Sequence, residues 1–323
     1  MKCRLFISIC ITLTLVIGIT ATHQVNAAYP DRYITLIMPF GVGNAPDTIA
    51  RVIAEYLQDK HGITMLIVSK PGGSGIPGLI DLMKAKPDGY TLCLTSANAL
   101  TVVPQVKPCG FTYKDLTAVV QLAVFTMGWG VKSDSDITSV DDLMAKAKVN
   151  PKKYSLGSPG SLTAQRFFHA QLMKHFPGSD LPYVPYDGGA ELVTALLGNH
   201  ISVAYTPIPN MRPHGDAIRI IAVSSRERDP NYPDVPTFAE LYDKNLIFES
   251  IYGVVAPKNI PADRLQRLEE LFKEALADPG VKGKLAKLYI SPNYLSSKEF
   301  GDVLKSYNDF FSEPIKRYLE QNK

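Results

Sequence analysis

Two glycine-containing turns, Pro39–Asp47 and Gly157–Thr163, each follow an apolar run with strand character and each open a helical pattern. The chemistry on offer there is anion binding. The first turns of a helix carry backbone N–H groups without intrahelical partners and lie at the positive end of its dipole, so two such starts facing one cleft would grip an anion from both sides. In the first turn Gly41 and Gly43 supply backbone freedom, Asn44 tolerates left-handed conformations, Pro46 suits a first helical position, and Asp47 follows. In the second, Ser158, Ser161 and Thr163 add hydroxyl groups. A third segment, Tyr186-Asp187-Gly188-Gly189, and a fourth, Ser96-Ala97-Asn98, also follow strand-like runs, as does Thr206. Taken singly, the first turn also reads as a bare strand-to-helix connection and Ser161 as an ordinary helix cap. Their convergence is stronger evidence than any one of them, because ligands of open α/β sheets collect beyond the carboxyl ends of strands. The candidate ligand contacts are therefore Gly43, Asn44, Asp47, Ser96, Asn98, Ser158, Ser161, Thr163, Tyr186, Gly188 and Gly189, with Thr206 a weaker candidate.

Other chemistries lack their residues. Gly73-Ser74-Gly75-Ile76-Pro77-Gly78 fits a dinucleotide fingerprint formally, but Pro77 is expected to spoil the helix it should open, and Ala97-Asn98-Ala99 stands where an acidic residue is required. No G-x-S-x-G elbow is present. His61, His169, His175, His200 and His214 show no i, i+4 pairing, and no C-x-x-C accompanies them. No catalytic residue, metal or cofactor is assigned. Cys93 lies in an apolar strand and reads as a buried thiol, with a disulfide to Cys109 the alternative.

The elements that must position these residues alternate. Tyr33–Met38 reads as a buried strand; Ile49, Val52, Ile53, Tyr56 and Leu57 follow at helical spacing. Strand 65–68, a Gly/Pro-rich loop, a short helix near 80–85 and strand 91–95 continue the alternation, which points to a parallel α/β sheet. An apolar stretch, 119–131, leads into a second series: helix 140–147 capped by Ser139 and Asp142, strand 154–156, helix 162–175, strand 183–186, helix 191–197, and strands 201–205 and 218–224. Trp129 on this stretch reads as hinge packing, with stacking on a ligand as the alternative. Strand 251–256 and helices 263–277 and 298–318 end the chain, with Pro314 expected to bend or break the last. The tail is too poor in strands to form a third domain. The expectation is two α/β lobes joined by two crossing strands around a central cleft: 28–124 with 226–323 as lobe 1, and 125–225 as lobe 2.

The 323-residue chain starts like an export signal: Lys2 and Arg4, an apolar run from Leu5 to about Thr20, then Val25-Asn26-Ala27. Residues 1–27 are read as a leader cleaved near Ala27, a stop-transfer anchor being the alternative. Cys10 is preceded by Ile9, which argues against lipid anchoring. Of 34 Lys and Arg and 31 Asp and Glu, Lys2 and Arg4 leave with that leader, and the balanced remainder offers no basic footprint for nucleic acid and no charge-based case for a membrane surface.

Segments in one order carry a family resemblance: Ile34–Phe40, Gly43 and Asp47, Lys70–Gly75, Pro87–Leu92, Val184–Tyr186, Gly188–Ala190, Leu196–Gly198, Ile221–Ser225 and Pro233–Thr237. The chain resembles the extracytoplasmic solute receptors of tripartite tricarboxylate transporters, the TctC or Bug family. The resemblance implies a type II periplasmic-binding fold that closes on a small organic anion, usually a carboxylate, and delivers it to membrane permease subunits from the periplasm. It implies that the turns 157–163 and 186–190 hold the proximal carboxylate while the turn 40–47 covers it. A monomer is expected. Two departures matter. Gly43-Asn44 replaces a common pair of glycines, adding an amide near the ligand. Asp187 stands where lysine is common, which makes an amino- or amide-bearing carboxylate more plausible. Two other roles remain open on this fold: signalling to a membrane sensor kinase, and an exported enzyme.

Overall fold

The computed structural model describes residues 29–161, 163–288 and 290–321. The leader expected at 1–27 lies outside them. The chain divides into two units, Met1–Asp31 and Arg32–Lys323, and the fold is that of the second. Strand β1, Ile34–Met38, is buried along nearly its whole length and flanked by parallel partners, which is why it is apolar without alternation. Helix α1, Ala45–His61, packs Ile49, Ile53 and Leu57 inward and ends on Gly62 in a left-handed cap. Then come β2 (Met65–Ser69), α2 (Ile76–Lys84), β3 (Thr91–Ser96), and the short helices α3 (Ala97–Thr101) and α4 (Val103–Val106).

Strand β4, Leu116–Lys132, runs through the middle of the molecule. The second series follows: α5 (Val140–Val149), β5 (Leu156–Pro159), α6 (Ala164–Leu172), β6 (Tyr183–Tyr186), α7 (Gly189–Leu197), β7 (Val203–Pro207), α8 (Ile208–Met211) and β8 (Ile218–Val223). The tail supplies α9 (Phe238–Leu241), β9 (Glu249–Pro257), α10 (Ala262–Ala277), α11 (Pro279–Ala286), β10 (Pro292–Leu295) and α12 (Ser297–Gln321).

Strand order is β2-β1-β3-β9-β4-β7-β5-β6, with β8 and β10 also on β4. The N-terminal half of β4, through Thr126, pairs antiparallel with β9 and β10; from Met127 its partners become β7 and β8. One strand thus belongs to two sheet systems. Around β1 and β3, one core gathers Leu79, Leu82, Cys93, Val255 and Phe300. A second gathers Trp129, Leu156, Phe168, Tyr205 and Phe238, joined by Leu246, Phe248 and Phe311 from the tail. Trp129 is fully buried against Phe238, ring centroids 5.1 Å apart, and serves packing.

Three details depart from expectation. Pro77 does not spoil a helix: it sits in the first turn of α2, where its missing N–H would have had no partner anyway. Of the two outcomes expected at Pro314, bending or breaking, the break does not occur: helix α12 continues through it. Strand β10 and helix α11, built from a segment without clear periodicity, were not foreseen. Cys93 and Cys109 are both free thiols; Cys93 is fully buried, which pushes its pKa up.

Candidate functional site

The strand ends and helix starts meet in one cleft with a cavity of about 80 Å³. Asn44, Ser96, Asn98, Thr163, Tyr186, Gly188 and Gly189 line it together, seven of the residues singled out from the sequence. The others stand behind or beside it. Gly43 adopts φ +85° and donates its N–H to Asp47 Oδ2 at 2.9 Å, while that same oxygen accepts from Arg51 Nε at 2.9 Å. Asp47 is buried and builds the turn from behind. Asn44 does not use the left-handed freedom expected of it: it is extended, φ −87°, and its Oδ1 caps α1 by accepting from the Asp47 N–H at 2.9 Å. Ser158 is fully buried in β5. Ser161 is exposed and lines an outer groove with Lys107 and Asp187; it caps nothing, the cap position of α6 being Thr163. Thr206 is fully buried and accepts from Asn210 Nδ2 at 2.9 Å.

Asn210 is the residue that sequence reasoning missed most plainly. Its Oδ1 accepts the N–H of Ala45, the first residue of α1, at 3.1 Å. Across the cleft the relation is reversed: Asn98 Oδ1 accepts the N–H of Ala164, the first residue of α6, at 2.6 Å. Two helix starts are therefore each met by a neutral carboxamide from the opposite side. The start of α7 meets no such carboxamide: Gly188 at its cap position makes no side-chain cap, and Glu191 in its first turn accepts the Asp187 N–H at 3.2 Å. A Cβ on Gly189 would lie 2.2 Å from Asn210 Nδ2, so glycine is what lets this start approach Asn210.

The glycine-rich loop set aside with the dinucleotide fingerprint also lines the cavity, through Gly72, Ser74 and Gly75. Gly72, Gly73, Ser74 and Gly75 all take positive φ, of 100°, 56°, 56° and 90°, a run only glycine adopts at low cost. Ser250 and Tyr252 reach the cavity from β9, Tyr252 edge-on to Phe40 at 5.5 Å. Behind Thr163, Tyr183 donates to Gly160 O at 3.0 Å and lies 3.2 Å from Thr163 Oγ1. Burial pushes the Tyr183 phenol up, so it remains a donor at neutral pH. Among the described residues lining the cavity there is no Lys, Arg or His; Asp187 is the one carboxylate.

A site of helix starts, hydroxyls and amides without a side-chain cation can hold a small anion by backbone donors, and it presents no paired nucleophile and base. The family described as "Tripartite tricarboxylate transporter family receptor", TctC, matches residues 49–310. The chain belongs to that family. A Cupriavidus necator relative, "UPF0065 protein in gbd 5'region", is 31% identical over 291 residues, covering 90% of this chain and 86% of its own. BugT of Bordetella pertussis (strain Tohama I) is 29% identical over 269 residues, 82% of each chain. The solved structure of the periplasmic binding protein BugD superposes with a TM-score of 0.81 at 25% identity, over 90% of this chain and 98% of that one. The periplasmic-binding fold with a central cleft, expected from the sequence, is the fold found. Among the described residues no helix is long and apolar enough to cross a membrane, and none of the acidic, His or Cys side chains cluster as a metal site.

Proposed function

We propose that this TctC receptor is an exported, monomeric, periplasmic solute-binding protein that closes on a small carboxylate and hands it to the permease subunits of a tripartite transporter. In this reading the halves divide near 125 and 225 and move as lobes, and the protein binds its solute without transforming it. One observation carries the proposal: the uncapped start of α7 at Gly188-Gly189 opens into a small cavity that has no cationic side chain. A carboxylate seated there exchanges its water for N–H donors and a helix dipole worth about 0.3–2 kcal/mol. Thr163 and Tyr186 stand beside that position.

A thermal-shift screen of mono-, di- and tricarboxylates, amino acids and neutral sugars tests this. A ligand present at about a hundred times its dissociation constant adds about 2.7 kcal/mol of stability. Hits are expected among carboxylates and not among sugars; the reverse pattern refutes the proposal. Thr163→Val should weaken binding about tenfold while leaving the ligand-free melting temperature near wild type.

A further inference from the structure

We infer that the protein carries a second ligand site, behind the sheet as seen from the cleft, for a small carboxylic acid with an apolar body: an aryl- or alkyl-alkanoate whose carboxylate meets Lys174.

The alternation of side chains along β9 places the site. Ser250 and Tyr252 line the cleft cavity, whereas Glu249 and Ile251 point to the other face and line a cavity of about 280 Å³. Beside that one, sharing Ile247, Phe248, Phe310 and Phe311 with it, lies a larger cavity of about 490 Å³. Its volume is that of an ordinary small-molecule site, and none of its lining residues belongs to the cleft. Three stretches of chain wall it: α6 with the turn after it, the segment 243–248 that leads into β9, and α12. Walls on three sides suit a small guest better than the flat surface of a partner.

The walls are aromatic and the charge is one-sided. Phe168, Phe248 and Phe311 are buried beneath the cavity, while Phe310 stands 58% exposed at its rim, its ring 5.1 Å from that of Phe311. An apolar guest covers that exposed ring and gains the burial. The lining has one ammonium, Lys174, and one carboxylate, Asp243. Asp243 is already answered: its Oδ1 accepts the Asn245 N–H at 2.9 Å and Asn245 Nδ2–H at 3.0 Å, inside its own turn. Lys174 donates to the neutral Gln171 Oε1 at 2.8 Å and makes no ion pair among the described residues. His175 beside it adds to the same sign whenever it is protonated. The adjoining cavity repeats the bias, with Arg226 and Lys244 against Glu249. A cationic guest is repelled by Lys174 and a neutral one leaves it unanswered; an acid sets its carboxylate against the ammonium and its carbon against the rings.

The test is methyl NMR of protein labelled at isoleucine, titrated with 4-phenylbutanoate, 4-phenylbutan-1-ol and 4-phenylbutan-1-amine, which share one body and differ in the head. Ile247 lines this cavity and no isoleucine lines the cleft, so its methyl signal, identified through Ile247→Val, reads the site directly. The acid is expected to shift that signal saturably, with the alcohol binding about two- to fivefold more weakly and the amine weakest of the three. Lys174→Gln should bring the acid down to the level of the alcohol, and Phe310→Ala should weaken all three about fivefold. Both positions are exposed, so both variants should keep the wild-type melting temperature. No movement of Ile247 with any guest, equal or tighter binding of the alcohol or amine, or a midpoint for the acid that either variant leaves unchanged overturns the proposal. So does acetyl-Phe-Leu-amide moving Ile247 where the acid does not, a result that would assign the cavity to a protein partner. The carboxylate reading of the cleft stands or falls separately, on the screen described above.

Discussion

Replacing Asn98 and Asn210 together by alanine is expected to shift the molecule toward an open cleft without unfolding either core. Each side chain makes one hydrogen bond across the cleft, to Ala164 N–H at 2.6 Å and to Ala45 N–H at 3.1 Å. Such a bond contributes a net of about 0.5–1.5 kcal/mol. The two together amount to about 2 kcal/mol, or about thirtyfold in the closed-to-open ratio. Neither replacement opens a core cavity, since both side chains lie at the cleft. Pulsed dipolar spectroscopy between spin labels at Val42 and Ser161, both exposed and on opposite turns, reads the change once Cys109 is replaced by serine. Ligand-free wild type should give a short, narrow distance distribution, each single variant a mixture, and the double variant a longer and broader one. A double variant indistinguishable from wild type would show that the carboxamides do not hold the cleft, and the energetic argument would be wrong.

Two further outcomes concern stability. His169 is buried, donates Nε2–H to Leu181 O at 3.0 Å, and its pKa is pushed down to about 4 by burial. Between that value and the ordinary 6.5 the unfolded chain binds the extra proton, so stability should be full above about pH 6.5 and fall by up to about 3 kcal/mol on acidification toward pH 4; chemical denaturation of His169→Gln should show a flatter profile. Gly253→Ala should cost about 1–3 kcal/mol in thermal unfolding, because its Cβ would lie 2.6 Å from Val120 O and 2.5 Å from the Phe300 ring; an unchanged melting temperature would contradict the packing.

What was legible in the sequence was local. The run Ile34–Met38 followed by Ile49, Ile53 and Leu57 encodes a strand, a turn and a helix within thirty residues, and the cleft-lining Asn44, Asn98, Thr163 and Gly189 follow from the rule that strand ends face the ligand. Residues that reach the site by other routes were not legible. Gln165 sits inside a helix at a position that reads as ordinary amphipathic spacing, and Ser250 and Tyr252 arrive on β9 from the far end of the chain. Asn210 left one trace, its i, i+4 spacing from Thr206, which only a helix directly after β7 turns into a contact. The glycine-rich loop was excluded along with a cofactor it does not need, although its left-handed backbone is itself a reason to look there.

The change of partners along β4 sets the mechanics of the whole receptor. Between Ala123 and Gly128 the strand gives up β10 and β9 and takes on β7 and β8, with no linker in between. Under the lobe motion proposed above, a rotation of one half against the other is taken up as twist in this continuous ladder, which would make the pivot a torsional spring. Substitutions at Thr126 or Met127 would then retune the swing of the jaws while leaving the chemistry of their lining untouched.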